Sequence, residues 1–288
     1  MSVDPVVWDG LIQARANPQF HPAIELEARL ARDAYHALPD GHRWLLRDRG
    51  RFNMGLIALL LAGGGAFTAQ TLSQICKARG IGSSGRAREY VEHLLRHGLV
   101  SAEPGDGRWT THRLTLGPIL LGHYAARLRA VLQGLQLFDP SVAPALELTE
   151  TNEFLPLCLT LAGANGDSSD LAHQIYDGGL GIFLERDCGM LILMDLLLAQ
   201  PADRSRLLER APLSRYGLAR DYGVSRAHIN KVLSDAAAAG LLSLEDDGGA
   251  VLFSHRLSEL LELHSAAIFL GLRTGIGQYL ASRSAARD

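Results

Sequence analysis

The sequence predicts a mainly α-helical fold with small β-hairpins, in which two similar halves are joined by long helices. One ordered pattern occurs twice, over 80–100 and 223–242: a glycine turn, a serine-capped amphipathic helix, a second glycine and a short apolar strand. In both halves a very apolar segment precedes the pattern and a long apolar segment follows it. The 288 residues suffice for two domains that each bury a core of their own.

The composition restricts the classes of function. Hydrophobic residues make up 47% of the chain, which is typical of a globular protein rather than a disordered one. The formal net charge of −3 argues against coating of nucleic acid by bulk charge, but it leaves room for local basic patches. The two lysines of the chain, Lys77 and Lys231, both fall in the repeated units.

The internal repeat extends beyond this pattern. Two further pairs of segments resemble each other at a separation of 137 positions: 45–49 with 182–186, and 59–62 with 196–199. Gly98 and Gly240 are 142 positions apart, so the second copy has a net insertion of five residues, which we place in 201–206. Self-similarity at a fixed separation indicates a duplicated unit, and hence a pseudo-two-fold arrangement.

In each half the sequence predicts three helices before the serine-capped one. They are a leading, a very apolar and a short helix, at 22–37, 54–62 and 71–79 in the first half and at 169–184, 190–199 and 214–222 in the second. Gly80 and Gly223 end the short helices, because glycine tolerates the left-handed backbone of a helix C-terminus. Ser83 and Ser225 are the predicted N-caps, since their hydroxyls accept from backbone N–H groups of the first turn.

Both serine-capped helices are amphipathic and end at a glycine, Gly98 or Gly240. The predicted inner faces are Ala87, Val91, Leu94 and Leu95 in the first helix and Ile229, Leu233, Ala236 and Ala237 in the second. A hairpin with a turn rich in Gly and Asp follows each helix. The predicted strands are 99–102 and 108–111 in the first half and 241–244 and 250–253 in the second.

Long apolar helices close both halves, over 116–137 and 258–280, and must pack against other elements because they are apolar on more than one face. Between these helices, Pro140 and Pro144 mark the predicted boundary between the two units. The predicted organisation is a first unit at 1–138, a linker at 139–152 and a second unit at 153–288.

The cysteines and the apolar segments favour a soluble protein in a reducing compartment, which we expect to be the cytoplasm. Cys76, Cys158 and Cys188 are odd in number and widely spaced, which fits small buried residues better than a disulfide framework or a zinc site. The N-terminus does not have the features of a signal peptide. The apolar stretch 190–199 is too short to span a bilayer and contains Asp195, so no membrane partner is expected.

The order of short helix, turn, second helix and hairpin resembles a winged helix-turn-helix, whose second helix enters the major groove of DNA. The first residues of that helix face base edges, where Arg and Lys pair with guanine and Asn pairs with adenine. The residues expected to face the bases are Ser84, Arg86, Arg88 and Glu89 in the first unit and Arg226, His228, Asn230 and Lys231 in the second.

Phosphate contacts are expected from side chains around the turns: Lys77, Arg79 and Ser83 in the first unit, and Arg215, Arg220 and Ser225 in the second. The two hairpin tips differ. Arg108 at the first tip is placed to reach a minor groove, whereas the second tip, 245–247, carries three acidic residues that repel phosphate. We therefore expect the first unit to bind DNA more firmly, or the second hairpin to be held clear of the duplex.

These motifs resemble those of the MarR-like winged-helix transcription regulators, over about 22–280 of this chain. The resemblance implies a sequence-specific regulator of transcription whose partner is double-stranded DNA, and it implies no cofactor. This chain differs because it contains two units, so a pseudo-dimeric monomer and a homodimer are both consistent with it. If the two helices enter successive major grooves, their half-sites lie about 34–36 Å apart.

Two other functions remain open. Tandem winged helices also act as protein-interaction modules, resembling the accessory subunits of chromosome-condensing complexes, and the acidic net charge and second tip favour this alternative. The pattern also resembles that of plasmid replication initiators, which contain tandem winged helices as well but tend to be more basic proteins. A regulator that contacts several phosphates loses DNA affinity steeply as the salt concentration rises, and this dependence distinguishes it from a protein-interaction module.

Neither a metal site nor an active site is expected. His93 and His97 have the i, i+4 spacing of metal ligands, but no third ligand is evident and a solvated helix face accounts for them. No nucleophile and base have supporting context, so we do not expect an enzyme. A small apolar effector between the long helices and the winged units, or core packing alone, accounts for four aromatic residues: Trp44, Tyr124, Phe183 and Phe269.

Overall fold

A computed structural model of the chain describes residues 5–164, 171, 174–245 and 248–285. Within them the protein is mainly α-helical and contains two small antiparallel sheets, as the sequence predicts. The elements of the first half are α1 (Pro5–Ala16), α2 (Phe20–Ala37), α3 (Asp40–Arg43), α4 (Arg49–Gly63), α5 (Ala69–Ala78), α6 (Ser84–Arg96), β1 (Val100–Ala102), β2 (Leu114–Leu116) and α7 (Pro118–Gln136).

The second half repeats much of this order. Its elements are α8 (Ala143–Leu148), α9 (Phe154–Ala164), α10 (Gly181–Leu184), α11 (Gly189–Leu198), β3 (Arg210–Pro212), α12 (Arg215–Tyr222), α13 (Arg226–Ala238), β4 (Leu242–Leu244), β5 (Ala250–Phe253) and α14 (His255–Ala285). The single leading helix predicted at 169–184 is wrong, because Gly179 has a φ of 117° and interrupts the helical backbone before α10. Residues 169, 170, 172 and 173 of that prediction lie outside the described residues.

A continuous apolar core joins the two halves. α2 packs against α7 of the first half and against α11 of the second. Phe20 on α2, Phe138 after α7 and Phe269 on α14 form a group of rings whose centroids are 5.5 to 6.2 Å apart. Val142 and Ala145, in the segment predicted as a linker, are buried in the same core. The segment therefore packs through these apolar side chains, while its prolines, Pro140 and Pro144, are exposed.

A second apolar cluster surrounds α5 and α6, which we call the first helix pair. It contains Met54, Leu72, Tyr90 and Leu94. The second helix pair, α12 and α13, instead shares the main core through residues such as Ile229. The three cysteines are free thiols, of which Cys76 and Cys188 are buried and Cys158 is half-buried.

The polar residue within the apolar helix α11 has partners. Asp195 Oδ2 accepts a hydrogen bond from the Tyr222 hydroxyl at 2.8 Å, and Oδ1 lies 3.4 Å from Arg32 Nη1. These contacts connect α11 to α2 and to the second helix pair. No helix among the described residues is long and apolar enough to cross a lipid bilayer.

The first sheet corrects one predicted strand. β1 pairs antiparallel with β2, where Leu114 is buried and its N–H donates to the Phe67 carbonyl at 2.8 Å. The return strand predicted at 108–111 is wrong, and a short 3₁₀ turn occupies Trp109–Thr111. The hairpin buries an apolar side chain on its inner face, which Leu114 supplies, whereas the Trp109 side chain is exposed.

The second sheet has both predicted strands and one more. β4 and β5 pair antiparallel, with Leu244 opposite Val251. β3 adds to the other edge of β5, with Ala211 also opposite Val251, which gives the order β3–β5–β4. This third strand precedes the second helix pair directly, so it fixes the start of α12 against the hairpin.

Candidate nucleic-acid interface

Both serine-capped helices form as the sequence predicts, and each contains 13 residues. Ser83 Oγ accepts a hydrogen bond from the Arg86 N–H at 3.2 Å, and Ser225 Oγ accepts from the His228 N–H at 3.1 Å. These bonds satisfy backbone N–H groups of the first turn that have no partner within the helix. The hydroxyl protons take no part in them, so both serines retain a donor for a phosphate oxygen.

The predicted inner faces and helix ends are also found. The buried residues are Ala87, Val91 and Leu94 on α6 and Ile229, Leu233 and Ala236 on α13, while Leu95 and Ala237 are half-buried. Gly98 and Gly240 follow these helices with φ values of 66° and 69°. The opposite faces are therefore left to solvent or to a partner.

Several cations on these outer surfaces have no ion pair or hydrogen bond to other described residues. The exposed and unpaired side chains are Lys77, Arg79 and Arg88 on the first helix pair, Arg226 on the second, and Arg108 on the loop between β1 and β2. Asn230 on α13 is exposed and unpaired in the same sense, and Ser84 is half-buried. Unpaired cations bind a phosphate without first breaking an internal bond.

Three other predicted contacts already have partners within the chain. Lys231 Nζ lies 2.6 Å from Asp235 Oδ1, and Arg220 Nη2 lies 2.8 Å from Asp221 Oδ1. Arg215 donates to the Gly248 carbonyl at 3.0 Å. The hydrogen bond from Lys231 lowers the pKa of Asp235. Exposed ion pairs contribute only about 0–1 kcal/mol, so phosphates are able to compete for Lys231 and Arg220.

Arg86 is turned towards the interior of the molecule. Its Nη2 lies 2.8 Å from Asp48 Oδ1, the carboxylate that caps α4. The same Oδ1 accepts the Arg51 N–H at 2.9 Å. The Arg86 side chain is 42% exposed, so it is not covered, but its guanidinium is held by an acid. The predicted contact of Arg86 with a base would require this ion pair to open.

His228 occupies the same position in α13 as Arg86 in α6, three residues after the capping serine. Its Nε2 lies 2.7 Å from the Asp187 carbonyl, just before α11. Asp187 in turn binds Arg51, with Nη1 and Oδ1 2.8 Å apart. The first turns of both serine-capped helices are thus attached to the starts of the two apolar helices, α4 and α11.

The N-terminal ends of α4 and α11 meet in a cluster that we call the central junction, which consists of Arg47, Asp48, Arg51, Asp187 and Cys188. Arg47 donates to the Cys188 sulfur at 3.3 Å and to the Tyr222 and Gly223 carbonyls at 2.6 and 3.0 Å. The Cys188 N–H donates to the Arg47 carbonyl at 2.6 Å. Cys188 has a φ of 57°, unusual for a residue with a side chain, and burial raises the pKa of its thiol.

The central junction restricts the spacing of the two helices. Contacts that are all shorter than 4 Å lead from Arg86 through Asp48, Arg51 and Asp187 to His228. The Arg86 guanidinium and the His228 imidazole are therefore much closer together than the 34–36 Å between successive major grooves. In this arrangement the two side chains hold the helices, and the outward-facing residues of α6 and α13 are the ones free to meet a duplex.

The sequence pattern does not predict the central junction. The segments 45–49 and 182–186 resemble each other as part of the repeat, but the pattern predicts no role for Arg47, Asp48 or Asp187. A charged pair directly before each very apolar helix, Arg47 with Asp48 and Arg186 with Asp187, is the signal that was present in the sequence.

The solvated helix face predicted for His93 and His97 is correct for His97 alone, which is exposed. The His93 ring is half-buried and stacks on Trp44 with centroids 4.1 Å apart. Its Nε2 lies 2.6 Å from the Gly41 carbonyl. The segment before α4 therefore covers one side of α6, because the aromatic Trp44 gains apolar contact there.

Two more imidazoles extend this group. His123 Nε2 lies 3.0 Å from His42 Nδ1, and the His42 ring also meets the His97 ring edge-on. Burial lowers the pKa of His42, His93 and His123, the last to about 4, so these rings are neutral at pH 7. Among the described residues, no three His, Cys, Asp or Glu side chains are arranged to hold a metal ion.

Neither protein-family models nor curated proteins nor solved structures gave a match to this chain.

Proposed function

We propose that the protein is a sequence-specific DNA-binding regulator of transcription that uses two winged helix-turn-helix units of one chain. One observation carries this proposal: two serine-capped helices of equal length are attached to the same junction, and both expose cations that have no partner among the described residues. Such cations give the electrostatic part of DNA binding, which is independent of sequence.

The elements around these helices support a duplicated unit. α5 and α6 are followed by the antiparallel pair β1–β2, and α12 and α13 are followed by β4–β5. Gly98 and Gly240 each stand 15 positions after the capping serines, Ser83 and Ser225. A hairpin after the second helix is the wing of a winged helix-turn-helix.

We divide the predicted contacts into two groups. The outward-facing residues bind DNA directly: Ser84, Arg88, Arg226 and Asn230 at base edges, Lys77, Arg79, Ser83 and Ser225 at the backbone, and Arg108 in a minor groove. Lys231, Arg215 and Arg220 reach phosphates by exchanging their internal partners. Arg86 and His228 position the two helices against the central junction instead of reading bases. Because one chain carries both helices, a pseudo-dimeric monomer is the proposed form, with a homodimer as the alternative.

Selection from a pool of randomised duplex DNA tests the proposal. We expect recovery of a conserved motif, and a loss of affinity of at least tenfold in the double variant Arg88→Glu, Arg226→Glu. Arg29→Glu is the matched control, because Arg29 is an exposed cation on α2, outside both helix pairs. A pool that yields no motif, or a double variant that binds like the control, contradicts the proposal.

A protein-interaction module is the second candidate, because the second unit exposes apolar side chains. Tyr216 is 67% exposed at the start of α12, and Leu252 is 40% exposed on β5. The acidic tip residues Asp246 and Asp247 lie outside the described residues. Under this alternative, Tyr216→Ser with Leu252→Ser abolishes capture of a partner, whereas Arg88→Glu does not affect it.

A further inference from the structure

A cavity of about 270 Å³ lies between α2, the start of α4, α11 and α14. This volume is close to the lower end of small-molecule pockets, which is about 300 Å³. Apolar side chains such as Ile24, Met194 and Leu261 make up most of its wall. Of the four aromatic residues predicted to line an effector pocket, Phe269 lines this cavity and the others do not.

One end of the cavity is polar and positively charged. Glu27 and Arg127 form an ion pair there, with Oε1 and Nη2 2.6 Å apart. The second terminal nitrogen of Arg127, Nη1, is buried and has no hydrogen-bond partner among the described residues. Arg49 lies on the Tyr176 ring, 3.8 Å from its centroid, and has no carboxylate partner among the described residues.

His264 adds no charge to this end. Burial and the nearby Arg127 and Arg49 lower its pKa to about 4, so the ring is neutral at pH 7. The charged residues of the wall are three arginines and two acids: Arg47, Arg49, Arg127, Glu27 and Asp48. Arg47 and Asp48 are each paired within the central junction, so Glu27 is left to balance Arg49 and Arg127 and a net positive charge remains. A buried guanidinium nitrogen without a partner costs free energy, which an anionic group in the cavity removes.

We propose that this cavity binds a small monocarboxylate with an apolar body, whose oxygens accept hydrogen bonds from Arg127 Nη1 and Arg49. The body of the ligand lies among the leucine and methionine side chains of α11 and α14. This class differs from the purely apolar effector predicted from the sequence, because the structure adds a cationic end to the pocket.

The cavity also touches the central junction, since Arg47 and Asp48 are part of its wall. Asp48 holds Arg86 of α6, and Arg47 holds the turn between α12 and α13. A bound ligand is therefore in contact with residues that fix both helix pairs. The regulatory part of the inference rests on the proposed DNA-binding function: the ligand changes DNA affinity by shifting the population of one arrangement of the helix pairs.

Titration calorimetry of the full chain without DNA tests the binding site, with octanoate as the probe. The matched probes are 1-octanol, which lacks the charge, octylamine, which reverses it, and 2-naphthoate, which replaces the chain by rings. We expect one molecule of octanoate or naphthoate per chain, and at least tenfold weaker binding of octanol and octylamine. Equal binding of octanol and octanoate, or binding of neither carboxylate, overturns the inference.

Two variants locate the ligand. Arg127→Lys keeps a cation beside Glu27 but removes the free nitrogen, and we expect it to weaken octanoate binding about tenfold. Arg129→Lys is the control, because Arg129 lies on the same helix, pairs with Glu150 and does not line the cavity. Ala28→Leu fills the apolar part and abolishes binding. Wild-type affinity in Arg127→Lys or in Ala28→Leu overturns the location.

DNA affinity, measured with and without octanoate, separates the two proposals. Octanoate that binds the free protein and weakens or strengthens DNA binding supports both. Octanoate that binds a protein with no sequence-selective DNA affinity contradicts the proposed function alone. DNA binding without octanoate binding overturns the cavity inference alone, and binding of both without mutual effect overturns its regulatory part.

Discussion

Arg86 and Asp48 connect the first turn of α6 to the N-cap of α4, with 2.8 Å between Nη2 and Oδ1. The Asp48 side chain is only 5% exposed and also accepts the Arg51 N–H. A carboxylate this deeply buried is tolerated only when its oxygens are paired. The contact therefore fixes the position of the first turn of α6 relative to the start of α4.

The first prediction concerns this pair. Arg86→Met leaves Asp48 with Arg51 as its remaining cation, and we expect the free energy of unfolding to fall by about 1–2 kcal/mol. Urea unfolding at pH 7 measures the change. Arg88→Met is the control, because Arg88 is exposed and unpaired among the described residues, and such substitutions change stability by less than about 0.5 kcal/mol. Equal stability of the two variants contradicts the positioning role of Arg86.

The local features of α6 and α13 could be predicted because they depend on neighbours within a few positions. Ser83 and Ser225 cap their own helices, and Gly98 and Gly240 take left-handed backbone directly after them. The return strand of the first hairpin could not be placed, since a loop rich in Gly and Asp does not fix its own length. The strand lies at Leu114–Leu116 because Leu114 is the residue that becomes buried there.

The central junction lay beyond prediction for a different reason. Arg51 and Asp187 are 136 positions apart, and their contact depends on how α4 and α11 pack. A sequence shows that both residues are charged, but it does not show which charges become buried together. DNA binding, the division into units and the individual contacts stay predictions.

The second prediction tests the helix ends. Gly98 and Gly240 have φ values of 66° and 69°, and an added Cβ at either position meets no atom within 4 Å. The cost of Gly→Ala is therefore conformational alone, and we expect a loss of about 1 kcal/mol at each site. Gly122→Ala, inside α7 and equally free of contacts, is the control and is expected to stabilise by up to about 1 kcal/mol. Thermal unfolding that shows the same sign at all three sites contradicts this.

The third prediction concerns pH. Burial and the neighbouring His42 lower the pKa of His123 from 6.5 to about 4 in the folded protein. Between these values the unfolded chain binds more protons, so stability falls as the pH drops from 6.5 towards 4 and changes little from this source above or below. The ring in contact with His123 is His42, whose pKa burial also lowers, so a proton on His123 is not stabilised by its neighbour.

Urea unfolding at pH 7 and pH 5 measures this dependence. We expect His123→Gln to lose less stability between the two pH values than the wild-type chain does. His255→Gln is the control, because His255 is exposed on α14 and makes an i, i+4 pair with Glu259. If His123→Gln and His255→Gln have the same dependence as the wild type, His123 is not protonated on unfolding in this range.

The last prediction separates DNA binding from protein interaction by salt. Each cation that neutralises a phosphate contributes about 0.9 to the slope of log affinity against log salt concentration. Arg88 and Arg226 are exposed and unpaired within the described part of the chain, so they release counterions without losing an internal bond. We expect Arg88→Ala with Arg226→Ala to reduce the slope by about 1–2, as measured by fluorescence anisotropy on one selected duplex. Arg86→Met is expected to reduce affinity while leaving the slope nearly unchanged, because Arg86 acts through Asp48. A slope lowered equally by both variants would make Arg86 a phosphate contact, and a slope near zero for the wild type would favour the interaction module.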